Sequence, residues 1–203
     1  MGRPRGAIFR VVRAPLLNLD AGELDCEPEE LYALADLVHV ACGGHAGDDA
    51  SMDRVLSACA RLGTRAGAHP SYVDRARFGR VRVEVAPDVL ATQVAEQCAR
   101  FAAAARRRGV LPFSVKPHGA LYHAANESPA LARACVEGVA RALGEVALVG
   151  PPSGALHDEA AARGLSFLGE AFADRSVRAD GTLVPRGEPG ALVEDPARAA
   201  ARA

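Results

Sequence analysis

The chain has 203 residues, is 49% hydrophobic and carries a formal net charge of −1 with a pI near 6.6, a composition that fits one well-packed domain and argues against nucleic acid as a partner. No stretch reaches the roughly 20 apolar residues of a membrane span, so no membrane association is expected. Five cysteines (Cys26, Cys42, Cys59, Cys98, Cys135), odd in number and without a CxxC pair, fit neither a disulfide framework nor a structural zinc site and suit a reducing cytoplasm.

Along the chain, residues 1–15 carry Arg3, Arg5, Arg10 and Arg13 without an acid and read as an extension ahead of a single domain spanning the rest of residues 1–203. Six short apolar runs follow: "APLLNLD", "DLVHVACG", "GTRAGAHP", "PFSVKPHG", "EVALVGPP" and "LSFLGEAF". Between them, helical periodicity covers residues 27–36, 50–62, 87–108, 129–143 and 154–163. This alternation predicts βα units and a parallel sheet covered on both faces. A doubly wound open sheet and a β/α barrel both satisfy it, but no GxGxxG or GxxxxGK[ST] supports nucleotide binding on an open sheet. Run after run instead ends in reactive side chains: Asp20 and Glu23; His45 and Asp48; His69; Lys116 and His118; Glu170, Asp174 and Arg175. In a barrel all strand carboxyl ends meet on one face, which would gather these residues into one site. The long connection "RFGRVRVEVAPDVL" after the third run reads as a substrate-contacting loop or lid.

Asp20 and Glu23 suit a general base with a second carboxylate, or equally a helix cap with its partner at the third position. In "CGGHAGDD", Gly43 and Gly44 permit close approach of backbone to a ligand and leave N–H groups for an anion. There His45 reads as a proton carrier or else as a turn residue, and Asp48 either fixes its tautomer or caps the next helix. "GAHPS" and "KPHGALY" each place a histidine, His69 and His118, beside a turn-fixing proline, with Tyr122 as a further hydroxyl. Lys116 is the chain's only lysine among 24 basic residues, which hints at a role that a guanidinium cannot fill. Asp20, His45 and His69 form the ligand set if a divalent metal is bound, although no HExxH or HxxxH pair supports one and none is expected.

Together "LNLDAGE", "VACGGHAGD", "GAHPSYVDRARFGR", "VKPHGALY", "FADRSVRADGTLVPR" and "PGALVEDP" resemble, in order and spacing, the motifs of the LamB/YcsF family, the family of the A-type 5-oxoprolinase component. The resemblance covers residues 16–200. It implies an α/β, parallel β/α barrel-like fold of the glycoside hydrolase/deacetylase kind. It also implies ATP-dependent opening of 5-oxoproline to glutamate with two partner subunits of the B and C types, ATP being handled with those partners. Carried over by motif, Asp20, Glu23, His45, Asp48, Lys116 and His118 become catalytic candidates. Gly43, Gly44, His69, Arg80, Asp174 and Arg175 become substrate-binding ones, the arginines holding the substrate carboxylate.

The chain departs from the pattern in places: Leu19 and Gly44 stand where the family carries Cys and Phe, and the segment from Glu23 to Cys42 is short. Its C-terminus stops in "EDPARAAARA", where the family continues to a further strand, so an incomplete TIM-type barrel is expected. Those departures keep open a metal-dependent amidohydrolase or deacetylase, and a non-catalytic binding remnant.

Overall fold

Six short parallel strands lie side by side in chain order in the computed structural model, which describes residues 15–178 and 182–202. They are β1 (Asn18–Ala21), β2 (Leu37–Ala41), β3 (Arg65–His69), β4 (Pro112–Val115), β5 (Ala147–Gly150) and β6 (Phe167–Gly169). Each falls inside one of the six apolar runs except β1, which runs one residue past its own, and β2 is buried along its whole length, as a strand covered on both faces must be. The arginine-rich segment read as an extension lies, but for Pro15, outside the described residues.

Seven α-helices accompany the sheet among the described residues: α1 (Glu30–Leu34), α2 (Asp49–Leu62), α3 (Pro87–Arg107), α4 (Gly119–Glu127), α5 (Pro129–Leu143), α6 (Ala155–Ala162) and α7 (Pro196–Ala200). Local chemistry sets their ends. A reciprocal Asp48–Ser51 capping box starts α2, and Gly63, at φ 74°, stops it. Pro87 and Pro129 open α3 and α5, where a missing N–H costs nothing. Along α3, Leu90, Val94, Cys98 and Phe101 form a buried stripe at helical spacing. Gly138 brings α5 close to it, since a Cβ there would lie 2.5 Å from the Ala91 carbonyl oxygen. None of the helices among the described residues is long and apolar enough to cross a membrane.

One helix departs from expectation. The periodicity predicts nothing over α4, because its nine residues begin at Gly119 with φ 56°, straight after a Lys-Pro-His turn that reads as a strand end. Gly119 is needed there: a Cβ would sit 2.6 Å from the Gly79 carbonyl oxygen, which accepts a hydrogen bond from Ala120 N–H.

The sheet curls into a half-barrel with its helices outside, as the barrel reading expects. Its curvature is visible in side chains, because Asn18 of β1 donates to Glu170, just past β6, at 2.7 Å across 152 residues of chain. No backbone ladder joins those two strands among the described residues; polar groups do. The barrel interior beneath the mouth is polar as well: His39 of β2 bridges Asn18 Oδ1 (3.3 Å) and Ser114 Oγ of β4 (3.0 Å). Gly67 of β3 makes room for this layer, as its Cβ would lie 2.5 Å from the Ser114 carbonyl oxygen and 2.9 Å from His39 Cδ2. Gly67→Ala therefore overpacks the interior, and urea unfolding is expected to show a loss of about 1–3 kcal/mol; an unchanged midpoint would mean that the strand gives way freely.

Candidate active site

At the carboxyl end of β1 the chain turns through Gly22 into a loop held by Glu27. Its carboxylate accepts from the backbone N–H of Gly22 (2.7 Å), Glu23 (2.8 Å) and Leu24 (3.0 Å) and from Tyr32 Oη (2.7 Å). That arrangement decides between the two readings of the acidic pair. Glu27 supplies the capping function, so Asp20 and Glu23 are left facing the barrel mouth.

Glu23 Oε1 meets three imidazoles: His45 Nε2 at 2.8 Å, His118 Nδ1 at 3.2 Å and His69 Nε2 at 3.8 Å. The rings are locked together. His45 stacks parallel on His118 with centroids 3.6 Å apart, and His69 meets both edge-on. Backbone carbonyls fix two of them from behind, Lys116 O on His69 Nδ1 (2.7 Å) and Phe78 O on His118 Nε2 (3.0 Å). Phe78 is the one non-glycine residue with positive φ (54°) among the described residues, and Gly79 after it packs so closely that a Cβ would lie 2.9 Å from His45 Cβ. The long loop expected to reach the substrate therefore lies against the histidines, and Phe78 supplies the aromatic wall that Gly44 lacks. A left-handed Phe is a strained feature of the kind that accumulates at functional sites.

Beside this cluster, Lys116 Nζ lies 2.6 Å from Asp20 Oδ1, 2.9 Å from Glu170 Oε1 and 3.0 Å from Asn18 Oδ1. Backbone bonds from Lys116 N to Ala68 O and from His118 N to Pro70 O extend the β3–β4 pairing past the strands, which sets both side chains next to His69. Burial disfavours the ammonium, but Asp20 and Glu170 reverse that and raise its pKa, so Lys116 is charged at neutral pH. Burial likewise works against the Asp20 carboxylate, and His69 and Lys116 outweigh it to hold its pKa well below the ordinary value. Glu23 behaves in the same way: hydrogen bonds to His118 and His45 overcome burial and hold it far down. Burial pulls His45 down to about 4 despite Glu23, so its ring is neutral near pH 7. Tyr122 is buried in α4, and burial together with Glu170 pushes its phenol up, leaving a neutral hydroxyl.

Several expected participants stand elsewhere. Asp48 is exposed and its carboxylate caps α2 by accepting from Ser51 N–H (2.8 Å), so it does not fix the His45 tautomer. His45 Nδ1 has no partner among the described residues. Gly43 donates its N–H to Ala46 O (2.8 Å), which removes it as an anion donor. Gly44 is small to admit Gln97 and Ser71, whose side-chain oxygens would lie 2.3 and 2.4 Å from a Cβ. Arg80 is exposed over the Phe78 ring. Arg175 is buried in the C-terminal segment, donating to Val184 O at 2.6 Å, and Asp174 O accepts there from Val193 N–H. Among the described residues neither contacts the cluster. The expected metal set changes too: Asp20 turns to Lys116, and Glu23, His45, His69 and His118 bring their ligand atoms within 4.8 Å of one another.

A cavity of about 330 Å³ opens beside Glu23 and His45, rimmed by Asp25, Arg54, Arg75 and Phe78. It is of ligand-pocket size. Arg75 reaches Gly47 O (2.7 Å) and Arg54 reaches Leu24 O (3.2 Å), so both guanidinium groups are steered by the loops of the rim. Sequence reasoning missed Asn18, Glu27, His39, Arg54 and Arg75. Glu170 stood out only as one of the polar strand ends.

The profile of the LamB/YcsF family matches residues 17–203. The A-type component of 5-oxoprolinase from Symbiobacterium thermophilum is 41% identical, the match covering 98% of this chain and 78% of that protein. Its namesake from Streptomyces avermitilis is 43% identical over 89% of this chain and 74% of its own length. The solved structure of the lactam utilization protein from Thermus thermophilus superposes with a TM-score of 0.86 at 32% identity, covering 92% of this chain and 77% of that one.

Proposed function

The chain belongs to the LamB/YcsF family, and from this we propose that it is the lactam-handling subunit of a multi-subunit 5-oxoprolinase, opening 5-oxoproline to L-glutamate at the expense of ATP. The observation that carries the reading is the meeting of one buried lysine, Asp20, Glu23 and three histidines at the strand carboxyl ends, beside a cavity of small-molecule size. An unstrained five-membered lactam is a poor electrophile, so its opening near neutral pH calls for activation by ATP. This chain carries no GxxxxGK[ST] phosphate-binding loop, which supports the reading that ATP is handled with the partner subunits.

Within that scheme Lys116 places its positive charge at the lactam carbonyl, where negative charge develops as water adds. With the γ-phosphoryl group of ATP transferred to the lactam oxygen and ADP released, Asp20 takes the proton from that water and hands it to the ring nitrogen as the C–N bond breaks. This leaves γ-glutamyl phosphate, which a second water splits to glutamate and phosphate. Arg54 and Arg75, rather than Arg80 or Arg175, receive the substrate carboxylate at the cavity rim, where a guanidinium can grip it through two hydrogen bonds.

The test is glutamate release from 5-oxoproline after mixing the chain with its B-type and C-type partner subunits. Glutamate that appears only with ATP and all three proteins is the expected result. Release by this chain alone without ATP would replace the scheme with that of a stand-alone amidohydrolase.

A further inference from the structure

The hydrogen bonds behind the histidines determine what can lie between them. A carbonyl oxygen only accepts, so His69 must carry its proton on Nδ1, toward Lys116 O, and His118 on Nε2, toward Phe78 O. In the neutral rings the opposite nitrogens are then bare lone pairs. Yet His69 Nε2 and His118 Nδ1 face each other at 3.0 Å, with Asp20 Oδ2 3.3 Å from the first and Glu23 Oε1 3.2 Å from the second. Four acceptors pointed at one another require a positive centre among them.

We propose that this centre is a divalent transition-metal ion of the zinc type, held by His69 Nε2, His118 Nδ1, His45 Nε2 and Glu23 Oε1. Ligands about 2.0–2.1 Å from zinc in a tetrahedron lie about 3.3 Å from one another. Four of the six contacts within the group are 2.8, 3.0, 3.2 and 3.8 Å and bracket that edge; His45, stacked parallel on His118, turns out of the stack for both lone pairs to reach one ion. Ligand histidines characteristically donate their second N–H to a backbone carbonyl, as His69 and His118 do. Charge points the same way: Asp20, Glu23 and Glu170 are opposed in the cluster by Lys116 alone, leaving two negative charges that a dication neutralises. Three imidazoles with one carboxylate favour zinc, cobalt or nickel over magnesium or calcium. The ligands come from the ends of β1, β2, β3 and β4, so no short motif announces them.

This site shares the cleft assigned to the lactam, but its occupancy is read without substrate or partner subunits. The whole chain, stripped with chelator, is titrated with Co(II) and then with Zn(II). One equivalent of cobalt should give the visible absorption of a four-coordinate nitrogen–oxygen site, and zinc should abolish it. His69→Asn and His118→Gln should each weaken cobalt binding by about 100-fold or more, while His157→Asn, at the exposed His157 paired with Asp158, leaves it unchanged. Far-UV circular dichroism checks the fold of each variant; should a histidine variant not fold, Glu23→Gln keeps the shape, removes the charge and should weaken binding comparably. A folded chain that takes up no metal, or a titration indifferent to these variants, overturns the site and leaves protons between the rings. Metal-free chain that opens 5-oxoproline at full rate with its partners would remove the site from the reaction, whereas metal-loaded chain inactive on 5-oxoproline would overturn the proposed function and leave the site standing.

Discussion

Lys116→Met should lower ATP-dependent glutamate formation by the reconstituted complex about 10²–10³-fold, the cost of removing one preorganised charge from a developing oxyanion. The methionine replaces most of the buried stem, so the volume is nearly kept and the charge is what goes. Lys116 is suited to the role because it is 5% exposed, gripped by Asp20 and Glu170, and charged at neutral pH. Removing it also leaves those carboxylates without their cation, a loss of about 3–5 kcal/mol for a broken buried pair. Rates are therefore compared at a temperature where circular dichroism shows the variant folded. Lys116→Arg separates the two effects, since it keeps the charge and most of the stability but cannot place a compact ammonium between Asp20 and Asn18. A Met variant that is folded and as fast as the parent chain would remove Lys116 from the chemistry.

Asp20→Asn should cost about 10²–10⁴ in kcat, the range for losing a general acid–base group, with little change in KM. The carboxamide has nearly the same shape and still meets Lys116 through its oxygen, so the fold should survive. Asp20 differs from its neighbours in exposure: its side chain is 34% accessible against 17% for Glu23 and 5% for Lys116, which makes it the carboxylate open to water and substrate. Because His69 and Lys116 hold its pKa down against burial, Asp20 is ionised throughout the neutral range and gains a proton only well below the ordinary aspartate value of about 3.9. A carboxylate of that kind accepts a proton reluctantly and releases it readily, which suits delivery to a departing nitrogen. If KM rises while kcat holds, Asp20 binds substrate and the proton route lies elsewhere.

The site was legible in the sequence where polar residues interrupt apolar runs at their carboxyl ends. Asp20, Glu23, His45, His69, Lys116 and His118 all stand there, and barrel geometry brings such residues together whatever their separation in the chain. Residues inside strands carried no such signal. Asn18 and His39 sit within apolar runs, where a polar side chain facing the barrel interior is indistinguishable from one facing out until the strand's orientation is fixed. Glu27 was missed because its work is done on backbone N–H groups, which any sequence presents. Asp48 was ambiguous in principle, since an aspartate ahead of a helix serves as a cap with or without an active site, and here the cap claims it. Arg175 lies at a strand end in sequence, but the chain past β6 pairs with itself, through Arg175 and Leu192, and carries the guanidinium away from the cluster.

The polar bridge between the first and last strands has a consequence in time. Each strand pairs in parallel with its predecessor in sequence, so the sheet can grow one helical crossover at a time. Asn18, Lys116 and Glu170 meet only after the chain between them has been threaded into place, the slow closure of a long loop. On a ribosome, then, β1 to β4 can gather the histidines while the lysine still lacks one of its two carboxylates. The buried Lys116 ammonium is framed on both sides only once residue 170 has emerged.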